Sequence, residues 1–224
     1  MRAFTLIELL VVVAILAVLA AAAVPAALDA GDRARASTCA GRLRNLGGAI
    51  HLYCQDHGGA FPRSFHSAAA NREPGWAFSV APYLGAPAAT TPDAWKRVFN
   101  RWFRCPSDTN SNPAAYSYGL NVFYELDPLG DDYAGSPATW RYIAQVPRPS
   151  RTILLGETKA SAYGDHFMCH QWSGASAARN AIAHERHSGH ANFLFADGHV
   201  EKLSAEATFF PPSTNRWNPS AAEN

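Results

Sequence analysis

The sequence predicts an α+β chain. One long N-terminal helix, apolar enough in its first half to cross a membrane, is followed by a loop-rich globular part built on short strands. Three observations predict this. Between Phe4 and Leu28 only Thr5, Glu8 and Pro25 are not apolar. Beyond Leu28, residues Cys39, Leu43, Leu46, Ile50, Tyr53 and His57 recur at spacings of 4, 3, 4, 3 and 4, which is one stripe of an amphipathic helix. Near the C-terminus, Asp197-Gly198 sits between two apolar runs, a short-range hairpin signal.

The first segment, residues 4–28, is the membrane candidate. From Leu9 to Leu28 twenty residues carry no charge. As a helix they span about 30 Å, the thickness of a bilayer core. A secretory signal peptide is the alternative. The Ala-rich stretch Ala20–Ala23 favours it as a cleavage site, whereas the single basic residue Arg2 and the length of the apolar run count against it. Glu8 also counts against an inert leader or anchor. A carboxylate at membrane depth costs about 2–3 kcal/mol and calls for a partner. Arg2, six residues away, is on a different helix face. Pro25 lacks the N–H that would bond the Ala21 carbonyl and crowds that turn, so a kink is expected there. The charge rule for loops gives the opposite of an external head: Arg33, Arg35, Arg42 and Arg44 follow the span and only Arg2 precedes it.

Over the whole chain of 224 residues, 48% are apolar, 17% are charged and the net charge is +1. That balance excludes the basic excess of a nucleic-acid binder and the polar composition of a disordered chain. The concentration of apolar residues in 4–28 makes a freely soluble cytosolic protein unexpected.

Residues 29–57 read as an amphipathic continuation of the first helix. Arg42, Arg44 and Asn45 fall off the apolar stripe, and Gly58-Gly59 and Pro62 supply the stop. Gly47-Gly48 inside the helix costs about 1 kcal/mol per glycine against alanine. Close packing against a sheet is the expected reason. Residues 58–224 form the globular head. Proline and glycine punctuate it throughout, with strand candidates at Tyr116–Leu120, Trp140–Val146 and Thr152–Leu155 and short helices at Trp76–Leu84 and Ala94–Phe103. In the hairpin, a two-residue Asp197-Gly198 turn pairs Phe195 with Val200 and Ala196 with His199.

Two stretches carry a family resemblance. Ala3-Phe4-Thr5-Leu6-Ile7-Glu8-Leu9-Leu10-Val11-Val12 resembles the processing site of type IV prepilins and type II secretion pseudopilins, with Ala3 standing where the family nearly always has glycine. His187, nine intervening residues and then Asp197-Gly198 resemble the processing-associated H-X9-DG domain that accompanies such N-termini. Further matching segments run from Cys39–Leu46 through Cys105-Pro106-Ser107-Asp108 and Ser117–Asn121 to Thr152–Leu155. The resemblance implies a pilin-like architecture, the long helix packed on an antiparallel sheet. It implies that residues 1–3 are a leader peptide, removed between Ala3 and Phe4 by a membrane prepilin peptidase that then methylates the Phe4 amine. It further implies that Glu8 pairs with the terminal amine of a neighbouring subunit, that Pro25 marks the helix kink, and that the head lies outside a bacterial inner membrane crossed once. Its implied partners are other pilin-like subunits, the processing enzyme and the membrane. It implies no cofactor.

Six of the nine histidines lie between His166 and His199, and His184, His187 and His190 are spaced by three. Together with His199 they are weak metal candidates, because they lack the i, i+4 pair of a zinc-protease helix. The plainer account is a set of loop histidines bonded to the hairpin, with His187 bracing the Asp197 turn. Asp127, Asp131 and Asp132 could form a calcium loop, but their spacing is not that of an EF-hand, and a solvated acidic loop is preferred. The four cysteines are even in number, as in an extracytoplasmic disulfide framework. Cys39 and Cys54 lie about 22 Å apart on one helix and cannot bond. Two pairings remain, Cys39–Cys105 with Cys54–Cys169 or Cys39–Cys169 with Cys54–Cys105, beside the alternative of buried free thiols. The resemblance favours the first pairing.

Three functions follow in order. The first is a structural, non-enzymatic subunit that assembles through its N-terminal helix. The second is a membrane-anchored binding module using its six tryptophans. The last is a metal-dependent enzyme at the histidine-rich end, for which no nucleophile or metal motif is visible.

Overall fold

The computed structural model describes residues 5–86, 89–112, 115–125, 140–159 and 164–222. The helices are α1 (Leu6–Asp56), α2 (Phe65–Asn71), α3 (Trp76–Val80), α4 (Pro92–Trp102), α5 (Ala175–Ala181) and α6 (Ala205–Thr208). The strands are β1 (Tyr118–Asn121), β2 (Ile153–Glu157), β3 (His166–Phe167), β4 (Ala191–Phe195), β5 (Val200–Leu203), β6 (Phe209–Phe210) and β7 (Thr214–Asn215).

Helix α1 is 51 residues long and passes through Pro25 without interruption. At 1.5 Å per residue it extends for about 75 Å. Its two halves have opposite surroundings. The apolar side chains from Leu6 to Leu28 are exposed to the surroundings, and the first buried residue is Cys39. From there Leu43, Leu46, Ala49, Ile50, Tyr53 and Cys54 are buried against the head. The apolar stripe is thus the packing face, apart from His57, which lies one residue past the helix as its cap and stacks on Tyr53.

The main sheet has the order β3-β1-β2-β4-β5. Its pairs β1–β2, β2–β4 and β4–β5 are antiparallel, and the short β3 lies parallel to β1. The long helix packed on a largely antiparallel sheet is the α+β, pilin-like arrangement that the sequence predicts. Alternation along the strands separates the two faces. Tyr118, Leu120, Leu155, Glu157 and Leu194 face α1. Phe193 faces the other way, into an aromatic layer with Phe167, Trp172 and Trp217, where Trp217 has ring centroids 4.7 Å from Phe167 and 5.1 Å from Trp172.

Gly47 shows why the helix needs a residue without a side chain. A Cβ there would stand 2.8 Å from the Leu194 Cδ1 of β4. The expected close packing holds for Gly47 only, since a Cβ on Gly48 would meet nothing within 4 Å.

Two local expectations are corrected. Residues Trp140–Val146 are not a strand. Tyr142 makes one isolated bridge to Ala60, and a 3-10 turn follows at Ile143–Gln145. The Tyr142 N–H is taken by the Gln145 side chain at 2.9 Å, so a local bond replaces a ladder bond. In the hairpin, Leu194 pairs with Val200 and Phe193 with Glu201, one residue away from the expected register. The Phe195 N–H donates to the His199 carbonyl at 2.9 Å, which closes a three-residue turn over Ala196, Asp197 and Gly198. Only Gly198 takes a positive φ, of 94°, as the last residue of such a turn requires.

Candidate functional site

The membrane end of α1 begins with a reciprocal cap. The Glu8 carboxylate Oε2 accepts from both the Thr5 N–H and the Thr5 hydroxyl at 2.8 Å, and the Glu8 N–H donates to the Thr5 hydroxyl oxygen at 3.3 Å. This capping box satisfies helix N–H groups that have no partner in the helix itself. Its signature, Thr5-x-x-Glu8 ahead of an apolar run, is legible in the sequence and gives Glu8 a partner within its own first turn, beside any terminal amine. Ala3 and Phe4 lie outside the described residues. Glu8 itself is exposed, at the start of an apolar surface with nothing against it.

The second site lies where the head takes hold of α1. Four side chains from four separate segments converge there: Cys39 on α1, Cys105 after α4, Glu157 at the end of β2 and His187 ahead of β4. Their donor atoms all lie within 4.8 Å of one another, and all four residues are buried. The Cys39 thiol donates to Glu157 Oε1 at 3.0 Å, and its sulfur is 3.2 Å from the Tyr118 hydroxyl. His187 Nε2 is 3.0 Å from the same Glu157 Oε1 and 3.5 Å from the Cys105 sulfur. The second carboxylate oxygen of Glu157 accepts from the Asn192 backbone N–H at 2.6 Å and from the Asn192 side chain at 3.3 Å. The Ser107 N–H reaches the Cys105 sulfur at 3.4 Å.

The surrounding bonds hold the four in place. Arg186, next to His187, pairs with Asp108 at 2.8 Å and donates to the Ser117 and Thr158 carbonyls. Asp108 also accepts from the Ser117 hydroxyl at 2.6 Å. One guanidinium thus fastens the Cys105–Asp108 segment, the start of β1 and the end of β2 to the loop that carries His187.

The electrostatics follow from burial and mutual contact. Burial pushes the Cys39 thiol up, and Cys105 and Glu157 push it further. Cys105 goes down, to about 6, because Cys39 hydrogen-bonds to it; burial opposes this and His187 reinforces it. Burial works against the charge on Glu157, yet bonds from His187, Cys39 and the Asn192 backbone hold its carboxyl below the usual range. Burial likewise opposes charge on His187, but Cys105 and Glu157 raise it to about 9. A depressed thiol beside a histidine is a nucleophile's setting. Here Glu157 and Cys39 are fully covered and Cys105 is only 3% exposed, so no substrate reaches the sulfurs.

The other sequence candidates are dispersed. His184 bonds the Ile182 carbonyl at 3.2 Å, His190 the Ser188 carbonyl at 3.0 Å, and His199 the Asp197 carboxylate while stacking on Phe195. Of the four weak metal candidates only His187 joins the cluster. Nor does His187 brace the Asp197 turn. It sits at the opposite end of β4, and the turn is held by His199 and by His51 of α1, whose Nε2 meets the Ala196 carbonyl at 2.8 Å. The nine residues between His187 and Asp197 thus measure one strand with its approaches. Asp127, Asp131 and Asp132 lie outside the described residues.

The four cysteines, which the sequence leaves open between disulfides and buried thiols, stand as thiols in this structure. All four cysteines are free and buried. Cys169 donates to the Asn121 carboxamide oxygen at 3.0 Å, and burial raises its thiol. Burial also raises Cys54, to about 12, against the pull of the Arg141 charge. Cys39 and Cys105 do come together, but as thiols shared with Glu157 and His187. Sequence spacing could not find this cluster, because Glu157 gives no motif. The one available signal was a carboxylate ending the apolar run Ile153-Leu154-Leu155-Gly156.

No curated protein and no solved structure matches the chain. Residues 1–24 match the family model described as the prokaryotic N-terminal methylation motif. The chain therefore carries a prepilin-type N-terminus, in keeping with a type IV pilin-like protein held in a membrane by its first helix.

Proposed function

We propose that the protein is a structural subunit, not an enzyme, of a filament related to type IV pili or to the pseudopilus of type II secretion. In this reading a prepilin peptidase removes residues 1–3 and methylates Phe4. Residues 4–28 then hold the subunit in the bacterial inner membrane with the head outside, and residues 29–57 carry the head. The His187 to Gly198 stretch makes it a member of the H-X9-DG group of such proteins. The observation that carries the reading is the combination at the start of α1: a prepilin-type motif, a carboxylate at Glu8, and an apolar helical surface left bare from Leu6 to Leu28. A lipid bilayer covers that surface in the waiting subunit, and neighbouring α1 helices cover it in the filament. Moving from lipid to neighbour changes little hydrophobic free energy, so the partner of Glu8 decides register. In the single subunit Glu8 closes its own helix. Assembly exchanges that bond for the amine of the next subunit.

A membrane-anchored binding module would use the six tryptophans. Trp76, Trp140 and Trp217 are buried, and Trp95, Trp102 and Trp172 pack against the same core, so their number is accounted for by packing. Intact mass of the membrane-extracted protein tests the proposal. The expected species lacks Met1 to Ala3 and carries one added methyl group. A species that begins near Val24, or one that retains Met1, contradicts it.

A further inference from the structure

We propose that Cys39, Cys105, Glu157 and His187 form a closed, four-coordinate zinc site that fastens α1 to the head. The donor set is two thiolates, one imidazole nitrogen and one carboxylate oxygen, all of them zinc ligands, and thiolate with imidazole selects zinc over hard cations. Zinc bonds of about 2.0–2.3 Å make a tetrahedron with edges of roughly 3.3–3.8 Å. The edges already present are close to that: 3.0 Å from Cys39 to Glu157, 3.0 Å from Glu157 to His187 and 3.5 Å from Cys105 to His187. The other three edges are no longer than 4.8 Å, so an ion at the centre draws these donors together by at most about an ångström.

The groups around the four fit a ligated state. Both Asn192 bonds go to Glu157 Oε2, which leaves Oε1 as the single oxygen pointing at the cluster. The Tyr118 hydroxyl and the Ser107 N–H stand at the two sulfurs, where they stabilise thiolate charge. His187 Nδ1 is buried without a partner, so Nε2 is the ring atom turned to the cluster. That Nδ1 lacks a partner with or without the ion, and so does not separate the two states.

The charges also balance. Two thiolates and a carboxylate around a divalent ion leave one net negative charge, the same as in a site of three cysteines and one histidine. On binding, the sulfur protons and any proton on His187 leave to solvent, and four sulfur, nitrogen and oxygen bonds to the ion replace them. A Cys39–Cys105 disulfide is the competing outcome outside the cytoplasm. It would leave Glu157 and His187 paired with each other beside a neutral bridge that neither helps to hold. An ion uses all four, and it shields two adjacent thiols from oxidation.

The test is metal analysis of the full-length protein, extracted in detergent without chelator and then equilibrated with zinc chloride. The site predicts about one zinc per chain and an X-ray absorption shell of two sulfur and two lighter ligands. Cys105→Ser and His187→Ala should each lower zinc retained on desalting at least tenfold, whereas Cys54→Ser should retain it in full. Cobalt titration of the unaltered protein avoids any folding defect of the variants. It should give the intense visible bands of a tetrahedral cobalt–thiolate centre. Zinc below a tenth of an equivalent after equilibration, cobalt bound without those bands, or a Cys39–Cys105 disulfide in the freshly extracted protein would overturn the proposal.

Discussion

His51 Nε2 on α1 holds the Ala196 carbonyl at 2.8 Å, so the helix grips the turn that joins β4 to β5. Cys39 meets the His187 cluster twelve residues earlier on the same helix. Helix α1 and strand β4 therefore run side by side in the same direction, fastened at both ends. Twelve helical residues cover about 18 Å, which β4 and its approaches span in a few more than five extended residues.

The turn supplies the first prediction. Gly198 has φ of 94°, and a Cβ on it would also stand 3.4 Å from His51 Cε1. Gly198→Ala should destabilise the head by about 1–2 kcal/mol. Chemical denaturation of the full-length protein measures this, and a variant as stable as the parent would show that the turn tolerates a side chain.

The adjacent glycines Gly47 and Gly48 of α1 should respond oppositely. Gly48→Ala faces open space and should gain up to about 1 kcal/mol from helix propensity. Gly47→Ala drives a methyl against the buried Leu194 and should lose about 1–3 kcal/mol to overpacking. Melting of the two variants side by side decides it. Equal midpoints would mean that Leu194 rotates away at no cost.

Glu125 predicts a pH dependence. It is completely buried, accepts from the Ser64 hydroxyl at 2.7 Å, and burial raises its carboxyl to about 7 against the effect of Ser64. Its folded value is above its unfolded one, so the folded state binds the proton more tightly. The favourable contribution is complete below about pH 4.5 and is lost as pH rises through about 7. The loss amounts to about 3 kcal/mol at about 1.4 kcal/mol per pH unit. Glu125→Gln should flatten the profile between these values. Parallel profiles for variant and parent would assign the pH dependence to other groups.

Two variants of Glu8 separate its two roles. Glu8→Gln retains a capping side chain but not the charge, and Glu8→Ala removes both. Both should stay in the membrane. If the charge pairs with a neighbouring amine, both should lower filament or oligomer yield at least tenfold. If only the cap matters, Glu8→Gln should assemble normally, and that result would sink the charge-pairing mechanism.

The legible parts of the fold were those that repeat at short range. The stripe from Cys39 to Tyr53 was readable because one helix face returns every three or four residues. The hairpin was readable from Asp197-Gly198, but its register was not, because the same dipeptide closes a two-residue turn or ends a three-residue one. Trp140–Val146 had strand composition, and a side-chain bond within the segment outcompeted the ladder. The buried cluster was out of reach. Residues 39, 105, 157 and 187 are far apart in the chain and meet only through the packing of α1 on the sheet, and two cysteines read alone suggest a disulfide.

The boundary of burial on α1 has a mechanical consequence. Of its side chains, Cys39 is the first to be buried, and all the buried residues that α1 gives to the head lie from there to Cys54. In a filament of the proposed kind, tension would pull on α1 along its axis, in the direction in which β4 also runs. That load would meet Cys39 first and then Leu43, Leu46 and Ile50, all on the one face that packs on the sheet. The head is thus mounted as a lap joint, with the buried cluster of Cys39, Cys105, Glu157 and His187 at its leading edge.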